Sequence, residues 1–301
     1  MSRSFIKKEG VAQASLARYL LGQKRGNRLK TIDELSKECQ FSVGLIQAAL
    51  KNLEKADAVT VDRRGRNGSY LTNIDNKILL TFADIGNVVC AMPLPYTRLY
   101  EGLASGLKAQ FDGFPFYYAH MRGSDVRVEC LINGVYDLAV VSRLAAQSYL
   151  DKGELFMALE LGPHTYVSEH KLIYRAGEMQ KIKRAGLDPR SADQLIMTDI
   201  HFSGQAVERV DVPYHECLYR IAKGDIDAAI WNVNNEVDLH SLGLVAEPLS
   251  GDPRFVQASE TVVLTRSDDV FIQQLLRTIV NKNELLAHQQ RVLKGEQEPN
   301  Y

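Results

Sequence analysis

Two sets of residues could do chemistry. The first is cationic and amide-bearing and lies near the N-terminus: Arg28, Gln47, Lys51, Arg63, Arg64, Arg66 and Asn67. An amide at Gln47 can pair bidentately with an adenine edge, while ammonium and guanidinium groups meet phosphates. The second set follows apolar runs further along: Pro95-Tyr96-Thr97, Arg122 and Ser124, Ser142 and Arg143, Asp188 and Ser191, Trp231 and Asn232. Polar residues at strand ends facing a cleft bind ligands. Main-chain N–H groups after Pro95, with the Tyr96 and Thr97 hydroxyls, suit a carboxylate or phosphate, and Arg122 can grip an acid bidentately. His164 and Tyr166 are weaker candidates. Each of these residues has an ordinary alternative, since serines and asparagines also turn chains and a lone tryptophan also fills a core.

Other chemistries lack their residues. The seven histidines form neither H-x-H nor H-E-x-x-H, and Cys39, Cys90, Cys130 and Cys217 stand far apart with no C-x-x-C. They read as buried free thiols. There is no G-x-S-x-G elbow and no G-x-x-x-x-G-K phosphate loop. The expectation is therefore no metal, no cofactor and no enzymatic activity.

The elements that carry the first set are legible. Thr31 and Glu34 make a capping box, after which Ile32, Leu35 and Cys39 share a helical face. Ser42 caps a second helix with an apolar stripe of Leu45, Ile46, Ala49, Leu50 and Leu53. Opposite that stripe stand Val43, Gly44, Gln47, Ala48 and Lys51, small or polar enough to enter a major groove. Val59 to Asp62 alternates as a strand, Arg63 to Gly68 is a basic turn, and Ser69-Tyr70-Leu71 returns. Val11, Ala12, Leu16, Tyr19 and Leu20 predict a preceding packing helix ended by Gly22. The order is that of a winged helix-turn-helix, with Arg28, Thr31, Ser42 and the helix face against double-stranded DNA and the wing arginines on its backbone.

Leu29 to Leu71 resembles the winged domain of GntR-type repressors, and nearly the whole chain resembles the YhfZ family of regulators, notably in NVVCAMPLPYTRLYEGLASGLKAQF and GVYDLAVVS. That resemblance implies a winged domain followed by a periplasmic-binding-protein-like domain. GntR recognition helices usually carry arginines where Val43 and Gln47 stand here, so no operator preference carries over.

Charge divides the chain. Residues 1–72 hold 14 Lys+Arg against 7 Asp+Glu, while the remainder holds 22 against 30. A basic module on an acidic body directs DNA to one end. The N-terminus MSRSFIKKEG has no apolar signal core and no stretch reaches the ~20 apolar residues of a membrane span, which predicts a cytoplasmic protein without a membrane partner.

Beyond residue 72, residues 73–85 read as a connector whose apolar Ile78-Leu79-Leu80 packs on something. From residue 86 to 294 strands and helices alternate. Strands are expected at Val88–Met92, Phe116–Ala119, Asp137–Val141, Ile182–Leu187 and Val210–Val212. Helices are expected over Tyr96–Phe111, Ser124–Leu131, from Ser191 onward, over Tyr214–Ile221 and, as one long element, Val270–Leu293. Gly134-Val135-Tyr136-Asp137 with its strand to Ser142 parallels Gly224-Asp225-Ile226-Asp227 with its strand to Asn232. Two α/β lobes of similar build follow, with Leu155–Leu161 and Leu172–Tyr174 crossing over and Glu260–Leu264 crossing back. This resembles a type 2 periplasmic-binding fold, the architecture of LysR-type effector domains as well. Ser142 and Asn232 should then face each other across the cleft. Residues 295–301 read as a disordered tail.

The expected function is a ligand-responsive DNA-binding regulator, homodimeric through residues 73–301, with a small-molecule effector that an anion would suit. The alternatives are an enzyme with an accessory winged helix and a DNA-binding scaffold with an empty cleft.

Overall fold

The computed structural model describes residues 8–83, 87–111, 115–233 and 237–301. The chain forms two compact units, residues 1–87 and 88–301.

In the first unit, α1 (Lys8–Leu21) buries Ala12, Leu16 and Leu20 fully. Helix α2 (Ile32–Cys39) starts from the expected capping box, and Ser42 caps α3 (Val43–Lys55). Ile46, Ala49, Leu50 and Leu53 are buried, so the predicted stripe is the core face. Strands β1 (Val59–Arg63) and β2 (Ser69–Ile74) form the hairpin, with a bulge between Thr60 and Val61. The segment expected as a connector belongs here instead. Strand β2 continues past residue 72, and Asp75 caps α4 (Asn76–Phe82), whose Leu79 and Leu80 are buried beside α1. The Arg18 guanidinium donates to the Ala83 carbonyl at 2.8 Å, satisfying an acceptor at the end of α4. Leu79 and Leu80 of the apolar triplet thus complete this core.

The second unit consists of two lobes with matching sheets. Lobe one contains β3 (Val88–Met92), α5 (Arg98–Gln110), β4 (Phe116–His120), α6 (Ser124–Ile132), β5 (Leu138–Ser142), α7 (Arg143–Leu150) and β6 (Leu155–Gly162). The chain crosses to lobe two, with β7 (His170–Arg175), β8 (Arg184–Leu187), α8 (Ala192–His201), β9 (Glu208–Asp211), α9 (Cys217–Lys223), β10 (Ala228–Asn232), β11 (Leu244–Pro248) and α10 (Arg254–Gln257). It returns through β12 (Thr261–Arg266) and ends in α11 (Val270–Ile279) and α12 (Lys282–Leu293). The strand orders are β4-β3-β5-β12-β6 and β9-β8-β10-β7-β11. In each, three parallel strands are followed by an antiparallel strand contributed by a crossing and by an antiparallel edge strand. This is the two-lobed, type 2 periplasmic-binding-protein-like α/β layout.

The internal repeat has a local cause. Asp137 donates its amide to the Val89 carbonyl and accepts the Val89 amide on Oδ2 at 2.8 Å. Asp227 does the equivalent, donating to the Arg184 carbonyl while its Oδ2 accepts the Lys183 and Arg184 amides. In each lobe one carboxylate fastens the third parallel strand to the start of the first.

Three further expectations need correction. Val270–Leu293 is two helices, because Val280 and Asn281 are extended and the Asn281 side chain caps α12 through the Asn283 and Glu284 amides. The last residues pack rather than trail: the Asn300 amide donates to Ser105 Oγ at 3.0 Å, and the Tyr301 ring lies 5.7 Å from that of His120. Cys90 and Cys217 are buried, but Cys39 and Cys130 are partly exposed. Helix α12 approaches α5 closely because Gly102 leaves room: a Cβ there would stand 3.0 Å from the Gln289 carbonyl oxygen. Helix α7 and strand β11 were not foreseen.

Candidate functional site

In the first unit, Val43, Gly44, Gln47, Ala48 and Lys51 are all exposed along α3, and the space around Gly44 is open. Thr31 and Ser42 are committed to caps. Thr31 Oγ1 donates to Glu34 Oε2 at 2.9 Å and accepts the Glu34 amide, while Ser42 Oγ accepts the Leu45 amide at 3.4 Å. Their positions at helix starts remain, but their hydroxyls serve the fold first.

The wing arginines divide. Arg63 makes two hydrogen bonds to the Glu54 carboxylate, at 2.9 and 2.6 Å. Arg64 binds Asp62 at 2.7 Å and lies over the Tyr70 ring. Both guanidiniums are therefore tied to the module's own acids. Arg66, on the exposed turn with Asn67, has no partner among the described residues. Arg28 forms a bridge with Tyr70 and crosses the wing tip. Gly68, at φ +90°, makes room for it, since a Cβ there would meet Arg28 Nε at 2.7 Å. Of the cations expected at DNA, Arg28, Lys51 and Arg66 thus make no ion pair among the described residues.

In the second unit, a cleft of about 460 Å³ opens between the lobes, within the size range of small-molecule sites. Its walls are built at carboxyl ends of parallel strands. After β3 come Tyr96, Thr97 and Tyr100; after β4 come Met121, Arg122, Gly123, Ser124 and Arg127. From lobe two come Asp188, Ser191 and Asp193 after β8, Tyr214 and His215 after β9, and Trp231 with Asn232 at the end of β10. Tyr166, Val167 and His170 line it from the crossing.

Most of the predicted residues line this cleft. Tyr96, Thr97, Arg122, Ser124, Asp188, Ser191, Trp231 and Asn232 all do, with Thr97 and Ser191 also capping α5 and α8. Arg122 Nε donates to Tyr96 Oη at 2.8 Å and its Nη1 reaches His215 Nδ1 of lobe two at 3.4 Å. Asp188 accepts the Tyr214 amide at 3.0 Å, tying two loops of lobe two. Trp231 stacks on Tyr214 at the wall. Pro95 does not line the cleft. Arg143 lies elsewhere, paired with Glu160 and Glu260 beside β6 and β12.

Ser142 is the main correction. It is fully buried, accepts the Ala145 amide as the cap of α7, and donates to Asp193 Oδ1 of lobe two at 2.6 Å. It ties the lobes together instead of meeting a ligand, because helix α7 begins at once after β5. Its counterpart Asn232 keeps its side chain in the cleft wall. Burial pushes the Asp193 carboxyl up to about 6, against the opposing pull of the Ser142 hydroxyl and the Arg127 charge.

Sequence reasoning missed Arg127, His170, Tyr100, Asp193 and Tyr214. Arg127 sits inside α6, two turns of chain beyond the strand end, where its pattern reads as an exposed helical cation. It is instead 3% exposed, donating to the carbonyls of Val140 and Met121 and to Tyr166 Oη, each at 2.9 Å. Among the described residues no group of histidines, cysteines and acids could hold a metal ion, and no helix is long and apolar enough to cross a membrane.

The family model described as the YhfZ C-terminal domain matches residues 75–301, and one described as a helix-turn-helix domain matches residues 24–71. The chain is 71% identical to YhfZ of Escherichia coli (strain K12) over 301 residues, the full length of both. It is similar to the crystal structure of YhfZ from Shigella flexneri, at 71% identity and a TM-score of 0.70 over 75% of this chain and 98% of that one.

Proposed function

The chain belongs to the YhfZ family, and from that premise we propose that it is a transcriptional regulator that binds double-stranded DNA and responds to a small molecule held between its lobes. The observation that carries this reading is the pairing, on one chain, of a helix-turn-helix domain whose second helix leaves Gln47 and Lys51 uncovered with a cleft walled by strand ends. Gln47 reads a base edge, Lys51, Arg28 and Arg66 meet phosphates, and Asn67 steadies the wing. Arg63 and Arg64 contribute less than their charge suggests, being ion-paired within the module. Arg122 at the cleft suits an acidic effector.

One winged module covers only about 600–1,000 Å² on DNA, so specificity calls for two modules on one duplex. We place the dimer contact in residues 88–301, since among the described residues of the first unit only Val11 and Val43 are large apolar side chains left well exposed, and Val43 lies on the face proposed for DNA. A monomeric mass for fragment 88–301 beside a dimeric full chain would move that contact to the first unit.

The direct test is genome-wide mapping of bound DNA, followed by fluorescence anisotropy on a recovered duplex with and without the small-molecule fraction of a cell extract. Gln47→Ala should relax preference at one base pair by ~1–3 kcal/mol while leaving non-specific binding intact. Binding no tighter to recovered sites than to scrambled duplex would remove the regulatory reading.

A further inference from the structure

The interior of the cleft is more specific about its occupant than its size is. Arg127 is almost fully buried, yet its three guanidinium bonds go to two carbonyls and a phenol, and it makes no ion pair among the described residues. Five N–H groups are available on a guanidinium, so donors remain. A buried cation without a bonded carboxylate is costly unless something supplies the negative charge. Asp193 in the same wall lies near enough to feel the Arg127 charge but makes no salt bridge to it, its Oδ1 accepting the Ser142 hydroxyl, so the remaining guanidinium donors stay unbonded beside the cleft.

A second observation lies on the lobe-two side. His170 on β7 and Asn232 on β10 are directly opposed in the antiparallel register, so their side chains are neighbours on one face. Both line the cleft. His170 Nδ1 and Asn232 Oδ1 are nevertheless buried and without any hydrogen-bond partner. Two adjacent orphaned polar atoms on a cleft wall await hydrogen bonds, for which buried groups in native proteins almost always find partners. Burial holds the His170 imidazole neutral, at about 4, so the pair adds no charge of its own. The Asn232 oxygen can only accept, and neutral imidazole can accept as readily as donate.

We infer that the cleft takes a small oxyanion-bearing metabolite that also carries a hydroxyl or amino donor, its anionic group held by Arg127 and its donor by the His170–Asn232 pair. Tyr100, Tyr166 and Trp231 enclose the carbon skeleton between these poles. The inference rests on the proposed ligand-sensing role of the cleft and deepens it. Carboxylates and phosphate monoesters share this chemistry.

The chain contains one tryptophan, Trp231, which lies in the cleft wall, so its emission reports occupancy without a label. The full-length protein would be titrated with D-glycerate, glycerol 3-phosphate, propionate, glycerol and the small-molecule fraction of a cell extract. Saturable changes are expected with glycerate or glycerol 3-phosphate, and whichever is tighter assigns the oxyanion. Glycerol lacks the anion and propionate lacks the donor, so each should bind at least about tenfold more weakly. Arg127→Lys, which keeps a charge but not the fork, should lower affinity for the favoured anion about tenfold or more. Because Arg127 also supports two carbonyls, Asn232→Ala serves as the second variant, weakening the hydroxylated anions but leaving propionate unchanged. Glycerol binding as tightly as its phosphate, or wild-type affinity in both variants, would overturn the inference while leaving a ligand cleft. A response to the extract alone would do the same. No saturable response even to the extract would overturn the ligand-sensing reading with it.

Discussion

Replacing Asp227 by Asn should destabilise the second unit in a way that depends on pH. The carboxylate is 8% exposed and accepts the Lys183 and Arg184 amides at 3.1 and 2.9 Å and guanidinium N–H groups of Arg184 and Arg175 at 2.9 and 3.1 Å. Burial alone would raise its pKa, but the Arg184 guanidinium, the Lys183 amide and Arg175 outweigh it and hold it down to about 2, from an ordinary 3.8. At about 1.4 kcal/mol per pKa unit this is about 2 kcal/mol of stability once the part-exposed arginines are discounted. Because the folded value is depressed, that stability is fully present above about pH 4 and is lost as pH falls toward 2. Asn keeps an acceptor for one backbone amide, so the charge is what the substitution removes. Urea unfolding followed by Trp231 emission, which reports lobe two, gives the measurement. The expected result is a deficit of about 2 kcal/mol near pH 7 that narrows below pH 4 as the wild type loses its carboxylate. A deficit that stays the same from pH 7 to 2.5, or one under about 0.5 kcal/mol at pH 7, would refute the reasoning, the latter being the scale of an ordinary surface change.

Three further expectations follow from the same geometry. Arg66→Ala should lower the salt dependence of DNA binding by about one counterion and weaken all sequences alike; Arg63→Ala, which frees Glu54, should instead raise the unfolding sensitivity of the first unit, and indistinguishable salt slopes for wild type and Arg66→Ala would remove Arg66 from the phosphate contacts. The Asp193 carboxyl, raised to about 6, holds its proton more tightly folded than unfolded, so its contribution favours the fold at low pH and is lost as pH rises from about 4 through 6. Asp193→Asn should abolish that decline, and parallel stability–pH curves for the two proteins would show that the group titrates normally. Gly102→Ala drives a Cβ against the Gln289 backbone and should cost about 1–3 kcal/mol in thermal or urea unfolding, whereas Gly106→Ala meets the rotatable end of Leu285 and should cost less; equal losses would mean that α12 yields as easily as a side chain.

Periodicity and local motifs carried the fold a long way. The capping box, the α3 stripe and the Gly-x-x-Asp-strand repeat are short-range patterns, and each marks the element it predicts because helix caps, amphipathic faces and strand starts are decided within a few residues. The repeat even located Asp137 and Asp227, whose shared task of fastening one strand to another becomes visible only in three dimensions. What the sequence could not rank was partnership across long separations. Arg63 looks like a free wing cation until Glu54 folds beside it. Ser142 and Asn232 occupy equivalent strand ends, but a helix begins at once after the first and Asp193 of the other lobe claims its hydroxyl. Arg127 and His170 come from a helix interior and a crossing strand, far in sequence from Asn232. A local pattern tells which face of an element is apolar; whether a polar group on that face is satisfied, neutralised or left open to a ligand depends on atoms delivered by other elements, and only their packing decides it.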